Sequence, residues 1–454
     1  PGFGFAVLFL TLFATQYSGN TFFAFTGATY RLGYVWILSL HFMTAVVVCY
    51  LLYAPHLYTL AKARGYVTPS DYVHDRFGDK RLTLLVTVTL IVVLCNFLLA
   101  QLMAMGRAMQ GLATINQDAA YIGGVVVLAL IMVIYGTLGG LRAVAWTDAI
   151  QGVILALGFG VLLVLLFERY GPLTDATRLL MERDVADGTA KALPQSPLRY
   201  REWLSYVLTA GFAVSLYPQA VQRIYAARSA RALRSSLAVM AFMPLPTMII
   251  ALIAGIMAAA YIPGLEGAAS DQIFGRVLRD IQEHSALGYG LVVVLLSAVL
   301  AAMMSTADSA LLSISSMFTK DIYARLFAPG ASQAHLTRVA KACSWFTIVA
   351  LVGLAIALRH HASLVALLDR KLDLLIQMVP VFMVGLRFPG MRAGPALAGL
   401  VTGIVVALVL AFGGFEFVVR GKVGGFHPGL VALVVNLAVA VGGSLLPAEP
   451  RNPA

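Results

Sequence analysis

Charged residues are scarce in this chain of 454 residues, at 12% of the total, whereas 60% of the residues are hydrophobic. A water-soluble domain of this length cannot bury so much apolar surface in one core, so the excess must face lipid. The shortage of charge therefore excludes a soluble globular protein and favours an integral membrane protein.

Cysteine is equally rare, and the three that occur, Cys49, Cys95 and Cys343, lie in three different apolar segments. Without closely spaced pairs they predict neither a metal cluster nor a redox centre, and no cofactor is expected. The chain also lacks the basic residues that precede the apolar part of a cleavable signal peptide. The first apolar segment is therefore not interpreted as a cleavable signal peptide, and whether the natural N-terminus is present stays open.

Twelve apolar stretches are long enough to cross about 30 Å of hydrocarbon as helices. They fall at residues 3–27, 34–57, 82–106, 119–138, 146–167, 204–221, 238–260, 288–316, 340–358, 370–387, 393–412 and 427–446. The prediction is an all-α membrane protein of about a dozen spans, with no soluble domain.

The net charge of +11 arises from basic residues that collect in short loops between the spans. These residues are Lys62, Arg64, Arg76, Lys80 and Arg81; Arg223, Arg228, Arg231 and Arg234; Lys320, Arg325, Arg338 and Lys341; Arg387 and Arg392; and Arg142. If the spans alternate, all five loops share one side, which the excess of Lys and Arg marks as cytoplasmic. We expect a multi-pass protein of the plasma (inner) membrane with both chain ends inside. Its partners are then lipid and small solutes, not nucleic acid, and the oligomeric state stays open.

Polar inserts are few: outer loops at 168–203 and 261–287, and an inner stretch at 57–82. In the inner stretch, Thr68-Pro69-Ser70-Asp71 predicts a turn and an N-cap ahead of a short interfacial helix.

Two spans are interrupted by residues that a lipid-facing helix would not carry. The first holds the polar run Ala14 to Thr21 at its centre, and the sixth holds Pro218. Unwound backbone there must be satisfied by protein, water, an ion or a solute, because lipid offers no hydrogen bonds. Breaks at the first and sixth positions are what an inverted repeat of five plus five spans places at its shared binding site. The alternative is that Gly19 and Pro218 are ordinary packing and kink residues.

The eighth span carries small, oxygen-bearing residues on one helix face, at positions 302, 305, 306 and 309. Two hydroxyls, together with carbonyls of an opposed broken helix, would supply the oxygen ligands that sodium needs. The alternative is a helix contact face whose hydroxyls bond to their own backbone. Asp308 on the same helix argues against that alternative, because a carboxylate so deep in a membrane is costly without a partner.

The stretch Tyr135-Gly-Thr-Leu-Gly-Gly-Leu-Arg-Ala-Val-Ala-Trp-Thr-Asp-Ala-Ile-Gln151 resembles the glycine-rich signature of the sodium/solute symporter family. Residues 18–33, 68–78, and 305–309 running on to 321–323 resemble the same family. The resemblance spans nearly the whole chain.

The resemblance implies a LeuT-type core of ten helices in two inverted repeats, which couples solute uptake to the sodium gradient by alternating access. The first repeat would occupy residues 1–167, an extracellular loop 168–203, the second repeat 204–387, and two peripheral C-terminal spans 388–454. Family members usually have one more helix before the first broken one. This chain starts where that helix would end, so either it is truncated or its subfamily lacks the helix.

The resemblance also implies a sodium site between the first and eighth spans. Its ligands would be the backbone carbonyls of Ala14, Tyr17 and Ala302 and the hydroxyls of Ser305 and Thr306. Asp148 is similar to the family's acidic residue near this site and would guide sodium release. The alternative for Asp148 is an N-cap pair with Thr147 at the start of a helix.

The solute should bind at mid-membrane beside the ion. The candidate residues are Gln16, Ser18 and Asn20 in the first span, Gln101 in the third, and Tyr217 and Gln219 in the sixth, with Tyr217 as an aromatic gate.

The tenth span opens with four charged residues, Asp369, Arg370, Lys371 and Asp373. If the helix begins before them, Arg370 or Lys371 would pair with a substrate carboxylate. If it begins after them, they form a self-neutralised outer loop, the reading we prefer from sequence.

The function expected is sodium-coupled import of a small organic solute, with a carboxylate as one candidate. A membrane sensor on a transporter fold and a proton-coupled carrier that uses Asp148 and Asp308 are the alternatives. A passive channel would not need two hydroxyls opposed to a broken helix. An enzyme is excluded, because no nucleophile, base or metal cluster occurs at a useful spacing.

Overall fold

The computed structural model describes residues 3–17, 23–138, 141–193, 196–284, 286–361 and 363–447. Within these ranges the backbone is helical, apart from turns, loops and one two-stranded hairpin. The all-α architecture expected from the sequence is therefore confirmed.

The described residues of the first half of the chain form eight α-helices. They are α1 Phe5–Gln16, α2 Ala24–Leu32, α3 Leu38–Arg64, α4 Pro69–Phe77, α5 Lys80–Leu112, α6 Gln117–Leu138, α7 Leu141–Tyr170 and α8 Leu173–Asp187. Helix α1 ends where Tyr17 adopts an extended backbone, and α2 begins after Phe23. The first span is thus divided within the polar run, as predicted.

The second half forms ten more helices and the hairpin. They are α9 Pro197–Val214, α10 Pro218–Ala226, α11 Ala230–Met240, α12 Pro244–Tyr261, α13 Ile273–His284, α14 Ala286–Met317, α15 Gln333–Ala357, α16 Leu364–Leu375, α17 Ala393–Phe412, β1 Val418–Val419, β2 Lys422–Val423 and α18 Pro428–Leu437. Short helical turns extend α14 to Phe327, α16 to Arg387 and α18 to Leu445.

Nine helical segments of the described chain are long and apolar enough to cross a membrane, or ten if the bent pair α9 and α10 is one span. The bend between α9 and α10 is 51°. Pro218 occupies the first turn of α10, where its missing N–H breaks no helical hydrogen bond. The predicted break in the sixth span is therefore present, and Pro218 begins a new helix after it.

The tenth span begins earlier than the sequence suggested. Helix α16 begins at Leu364 and ends at Leu375, so the charged residues 369–373 lie inside it and are not an outer loop. Burial of three of these four residues within the protein lets them stay helical at this depth. The preferred loop reading was wrong.

The short inner helix α4 has the predicted N-terminus, with Thr68 and Asp71 forming a reciprocal capping box. The Asp71 carboxylate also accepts hydrogen bonds from Lys320 (2.5 Å) and Arg325 (3.0 Å) at the end of the eighth span. Burial acts to raise the pKa of Asp71, but the hydrogen bonds from Lys320 and from the backbone amides of Thr68 and Val67 outweigh it and lower the pKa. The loop that carries α4 is therefore held against the end of the eighth span.

Helices α2 and α12 touch at Gly255, where a side chain has no room. A Cβ at Gly255 would lie 2.3 Å from Thr29 Cβ and 2.8 Å from the Thr26 carbonyl oxygen. We expect Gly255→Ala to destabilise the protein by about 1–3 kcal/mol through overpacking. The melting temperature in detergent measures the effect. The matched control is Gly123→Ala, where nothing lies within 4 Å of the added Cβ. Equal melting temperatures for the two variants would contradict this packing.

Candidate functional site

A narrow cavity of about 40 Å³ lies where the broken first and sixth spans meet. At roughly 10–15 Å³ per water, it has room for about three waters. Its lining residues are Thr15, Gln16, Phe25, Phe42, Met43, Phe97, Ala210, Val214, Tyr217, Gln219, Ala220, Leu368, Lys371 and Leu372. These residues come from α1, α2, α3, α5, α9, α10 and α16 and from the break before α10. The cavity is therefore central to both halves of the chain.

The walls of the cavity include four aromatic side chains. Phe97 of α5 stacks on Tyr217 with ring centroids 5.0 Å apart, and Phe25 meets Phe42 edge to face at 5.7 Å. Tyr217 lies immediately before Pro218, in the break of the sixth span. The residue predicted as an aromatic gate thus forms one wall, packed against the third span.

A cluster of four oxygens lies beside the cavity, between the end of α1 and the middle of α14. Ser305 Oγ donates to the carbonyl of Ala14 at 2.9 Å and to that of Ala302 at 3.2 Å. Thr306 Oγ1 reaches the same two carbonyls at 3.3 Å and 3.0 Å. Ser305 and Thr306 are both fully buried. Four of the five predicted sodium ligands therefore meet at one point.

The local sequence explains this meeting. The last four carbonyls of a helix have no amide partner within it, and Ala14 belongs to the last turn of α1. In α14, residues 302, 305 and 306 share one face. The bonds to Ala302 are the backbone bonds of the structural alternative, whereas the bonds to Ala14 cross between two helices. The fifth predicted ligand, Tyr17, lies at the end of α1 with its ring 4.9 Å from that of Phe13.

Asp148 lies near this cluster in a buried ion pair. Arg223 donates to Asp148 Oδ2 at 2.6 Å, and the Thr11 hydroxyl donates to the same oxygen at 2.7 Å. Arg223 also donates to Ser309 Oγ at 2.5 Å. The pair thus connects α1, α7, α10 and α14. Asp148 lies well inside α7, which begins at Leu141, so the N-cap alternative is wrong.

Arg223 is the functional residue that the sequence analysis misplaced. It was grouped with the basic residues of an inner loop, yet its side chain is only 2% exposed. The one sequence signal was its spacing: Arg223 is four residues after Gln219, on the helix that follows the break, and donates to the Gln219 carbonyl at 3.0 Å. Net charge per loop cannot reveal such a position.

Asp308, on α14, is 3% exposed, and its Oδ1 has no hydrogen-bond partner among the described residues. The same holds for Oδ1 of Asp148. Two carboxylates with unpartnered oxygens therefore lie at membrane depth near the oxygen cluster.

The predicted solute residues divide into three groups. Gln16, Tyr217 and Gln219 line the cavity. Gln101 is buried in α5 but is not among the described lining residues. Ser18 and Asn20 lie outside the residues that the structure describes.

The charged residues of α16 point in different directions. Arg370 pairs with Asp373 at 3.1 Å and is not among the described residues that line the central cavity, where the sequence analysis had considered it. Asp369 faces the other way and is held by Lys422 of the hairpin at 2.7 Å and by the Tyr206 hydroxyl at 3.0 Å. Lys371 is the one that reaches the cavity. A helix places residues 368, 371 and 372 on one face and residue 370 on another, and this rotation decides which cation faces the solute.

Comparison with known proteins matches this arrangement. A sequence model of the sodium:solute symporter family matches residues 2–403. The sodium/pantothenate symporter of Haemophilus influenzae is 27% identical over 70% of this chain and 63% of its own length. The monocarboxylate transport permease protein of Rhizobium johnstonii is 24% identical over 95% of this chain and 86% of its own length.

A solved structure of a Na+-coupled sialic acid symporter, in a substrate-bound outward-open state, is similar throughout. It superposes with a TM-score of 0.77 at 19% identity and covers 100% of this chain and 92% of that one. The likeness confirms the LeuT-type fold. The repeat boundaries at residues 167, 203 and 387 stay predictions.

The Asp148–Arg223 pair generates a stability prediction. Arg223→Gln should destabilise the protein by about 3–5 kcal/mol, because it leaves a buried carboxylate without its cation. Adding Asp148→Asn should restore most of the loss, since both charges are then gone. Melting temperatures in detergent measure both effects, with the exposed Arg228→Gln as control. A single variant as stable as the wild type would contradict a buried ion pair.

Proposed function

Because the chain belongs to the sodium:solute symporter family, we propose that it imports a small organic solute together with sodium by alternating access. The family consists of transporters, so the protein is a multi-pass membrane transporter and not an enzyme. The observation that carries the proposal is the four-oxygen cluster between the break of α1 and the hydroxyls of α14.

The proposed sodium ligands are the carbonyls of Ala14, Tyr17 and Ala302 and the hydroxyls of Ser305 and Thr306. Unwound carbonyls and hydroxyls at a broken span are a usual way for transporters to bind sodium. In support, both hydroxyls already lie within 3.3 Å of the carbonyls of Ala14 and Ala302. Reorienting the hydroxyl hydrogens away from the carbonyls would turn all four oxygens towards one cation.

Asp148 would act from one helical turn further along. Ser309 follows Ser305 by four residues and contacts Arg223, which holds Asp148. The second oxygen of Asp148 has no hydrogen-bond partner among the described residues. A carboxylate so placed would attract sodium out of the cluster and guide its release towards the cytoplasm.

The proposed coupling follows from the shared use of α1. Ala14 would bind the ion, and the next two residues, Thr15 and Gln16, line the solute cavity. Sodium that holds α1 against α14 would therefore fix one wall of the solute site. By linkage, the solute would strengthen sodium binding by the same factor.

The proposed orientation puts both chain ends in the cytoplasm of a plasma (inner) membrane. The basic inner loops support it, because cytoplasmic loops carry the excess of Lys and Arg. The hydrogen bonds that Lys320 and Arg325 donate to Asp71 would then hold the cytoplasmic side of the cavity closed.

A proton-coupled carrier is the second candidate, favoured by the unpartnered oxygen of Asp308. A buried carboxylate without a partner is a usual element of proton relays in transporters. The two candidates differ in the gradient that drives uptake.

The experiment is uptake into proteoliposomes of radiolabelled carboxylates, amino acids, sugars and urea. Each compound is measured with an inward sodium gradient and, separately, with an inward proton gradient at equal sodium. We expect one compound to accumulate with the sodium gradient alone. Accumulation driven only by protons would establish the second candidate, and accumulation of nothing by folded protein would contradict both.

The sodium site generates a further prediction. Ser305→Ala combined with Thr306→Ala should raise the sodium concentration needed for half-maximal uptake about a hundredfold or more. Each lost ligand costs roughly 1.5–3 kcal/mol, and 1.4 kcal/mol is tenfold. The control is Ser297→Ala on the same helix, whose exposed hydroxyl bonds only to its own turn. An unchanged sodium requirement in the double variant would exclude these ligands.

A further inference from the structure

We propose that Lys371 binds the carboxylate of a small monocarboxylate solute in the central cavity. The proposal rests on the transport function above and deepens it by naming the cation and the substrate class. Of the two cations that the sequence analysis considered for a substrate carboxylate, Arg370 and Lys371, it selects Lys371.

Lys371 lies in the cavity wall with its ammonium group unmatched. The residue is 1% exposed, and its Nζ has no hydrogen-bond partner among the described residues. Its contacts are with aromatic faces: Nζ lies 4.1 Å from the centroid of Phe97 and 5.6 Å from that of Tyr217. Ring faces attract a cation but do not replace the hydrogen bonds that it loses on leaving water.

The neighbouring charges are all matched elsewhere. Asp373 pairs with Arg370 at 3.1 Å and Asp369 with Lys422 at 2.7 Å. The carboxylates of Asp373 and Asp369 are therefore each paired with a cation other than Lys371. Among the described charged residues of α16, Lys371 is the cation without a carboxylate partner. Since a buried ion is normally paired, an anion that enters the cavity is its natural partner.

Lys371 also borders a second cavity of about 150 Å³ on the far side of α16, which Arg370 and Asp373 line as well. Arg370 and Asp373 already neutralise each other there. An anion on that side would also meet the Asp373 carboxylate, whereas the central cavity presents no acidic side chain among its described lining residues. The central cavity is thus the better anion site.

The lining also limits the rest of the solute. One cation suits one carboxylate, the aromatic walls suit a short apolar body, and the volume of about 40 Å³ favours few atoms. Gln219 Oε1 has no partner among the described residues and would accept a hydrogen bond from a solute hydroxyl. With no carboxylate in the described lining, the ammonium of a zwitterionic amino acid would be poorly matched beside Lys371.

The experiment compares lactate, propionate, alanine and the neutral lactamide as sodium-driven substrates in proteoliposomes. We expect lactate and propionate to accumulate, and alanine and lactamide to accumulate less. Lys371→Met should lower kcat/KM for lactate at least about tenfold, and Lys371→Arg should retain part of it. The matched control is Arg370→Gln combined with Asp373→Asn, which removes both charges of the neighbouring pair and should keep lactate uptake.

Folding is measured independently of transport. Because Lys371 has no counter-ion among the described residues, Lys371→Met should melt at the same temperature as the wild type or higher, and sodium should still raise its melting temperature. Lactate should add a further rise in the wild type and none in Lys371→Met. A merely structural lysine would not produce this difference.

The outcomes separate the two levels of the proposal. Unchanged lactate uptake in Lys371→Met, or sodium-driven accumulation of alanine or lactamide in preference to lactate and propionate, would overturn the role of Lys371 and leave symport standing. If none of these four compounds accumulates but a sugar or urea of the wider panel does so with the sodium gradient, only the assignment of Lys371 is overturned. If no compound of either panel accumulates, both the proposed function and this assignment are overturned.

Discussion

Backbone oxygens that have lost their helical partners cannot be left bare inside a bilayer, and this constraint organises the centre of the molecule. Helix α1 ends in mid-span, so its last carbonyls need partners other than its own amides. The hydroxyls of Ser305 and Thr306 meet one of them, at Ala14. The same break exposes Thr15 and Gln16 to the cavity. The proposed ion site, the solute cavity and their coupling all follow from this one interruption.

The buried ion pair of Arg223 and Asp148 holds the same helices together, but burying its two charges costs desolvation free energy. Arg223 and Asp148 connect four helices through Thr11 and Ser309, where a wholly apolar contact would pack as well. Such a network holds the helices in one register while it is intact. It also keeps a carboxylate beside the oxygen cluster, which an apolar contact could not do. The side chains that we expect to stabilise the helix packing are therefore the same ones that the proposed sodium release would use.

Hydropathy and local motifs predicted the helical class, the two breaks and the capping box of Thr68 and Asp71, because each depends on neighbours in sequence. The fate of individual charges could not be predicted in this way. Arg223 was grouped with a loop, and Arg370 was expected in a loop or, alternatively, in the cavity. Their partners, Asp148 and Asp373, are fixed by the rotation of each helix in three dimensions. The rotation of each helix about its axis cannot be read from a single sequence.

The hairpin between α17 and α18 lies beyond residue 403, where the family match ends. Its Lys422 nevertheless donates a hydrogen bond to Asp369 on α16, the helix that carries Lys371. Gly429, at the start of α18, donates to Asp373 on the same helix. The hairpin and α18 therefore help to fix which face of α16 is turned towards the cavity. Because the oxygen cluster is built from α1 and α14, a change in the hairpin would alter the orientation of α16 without touching that cluster.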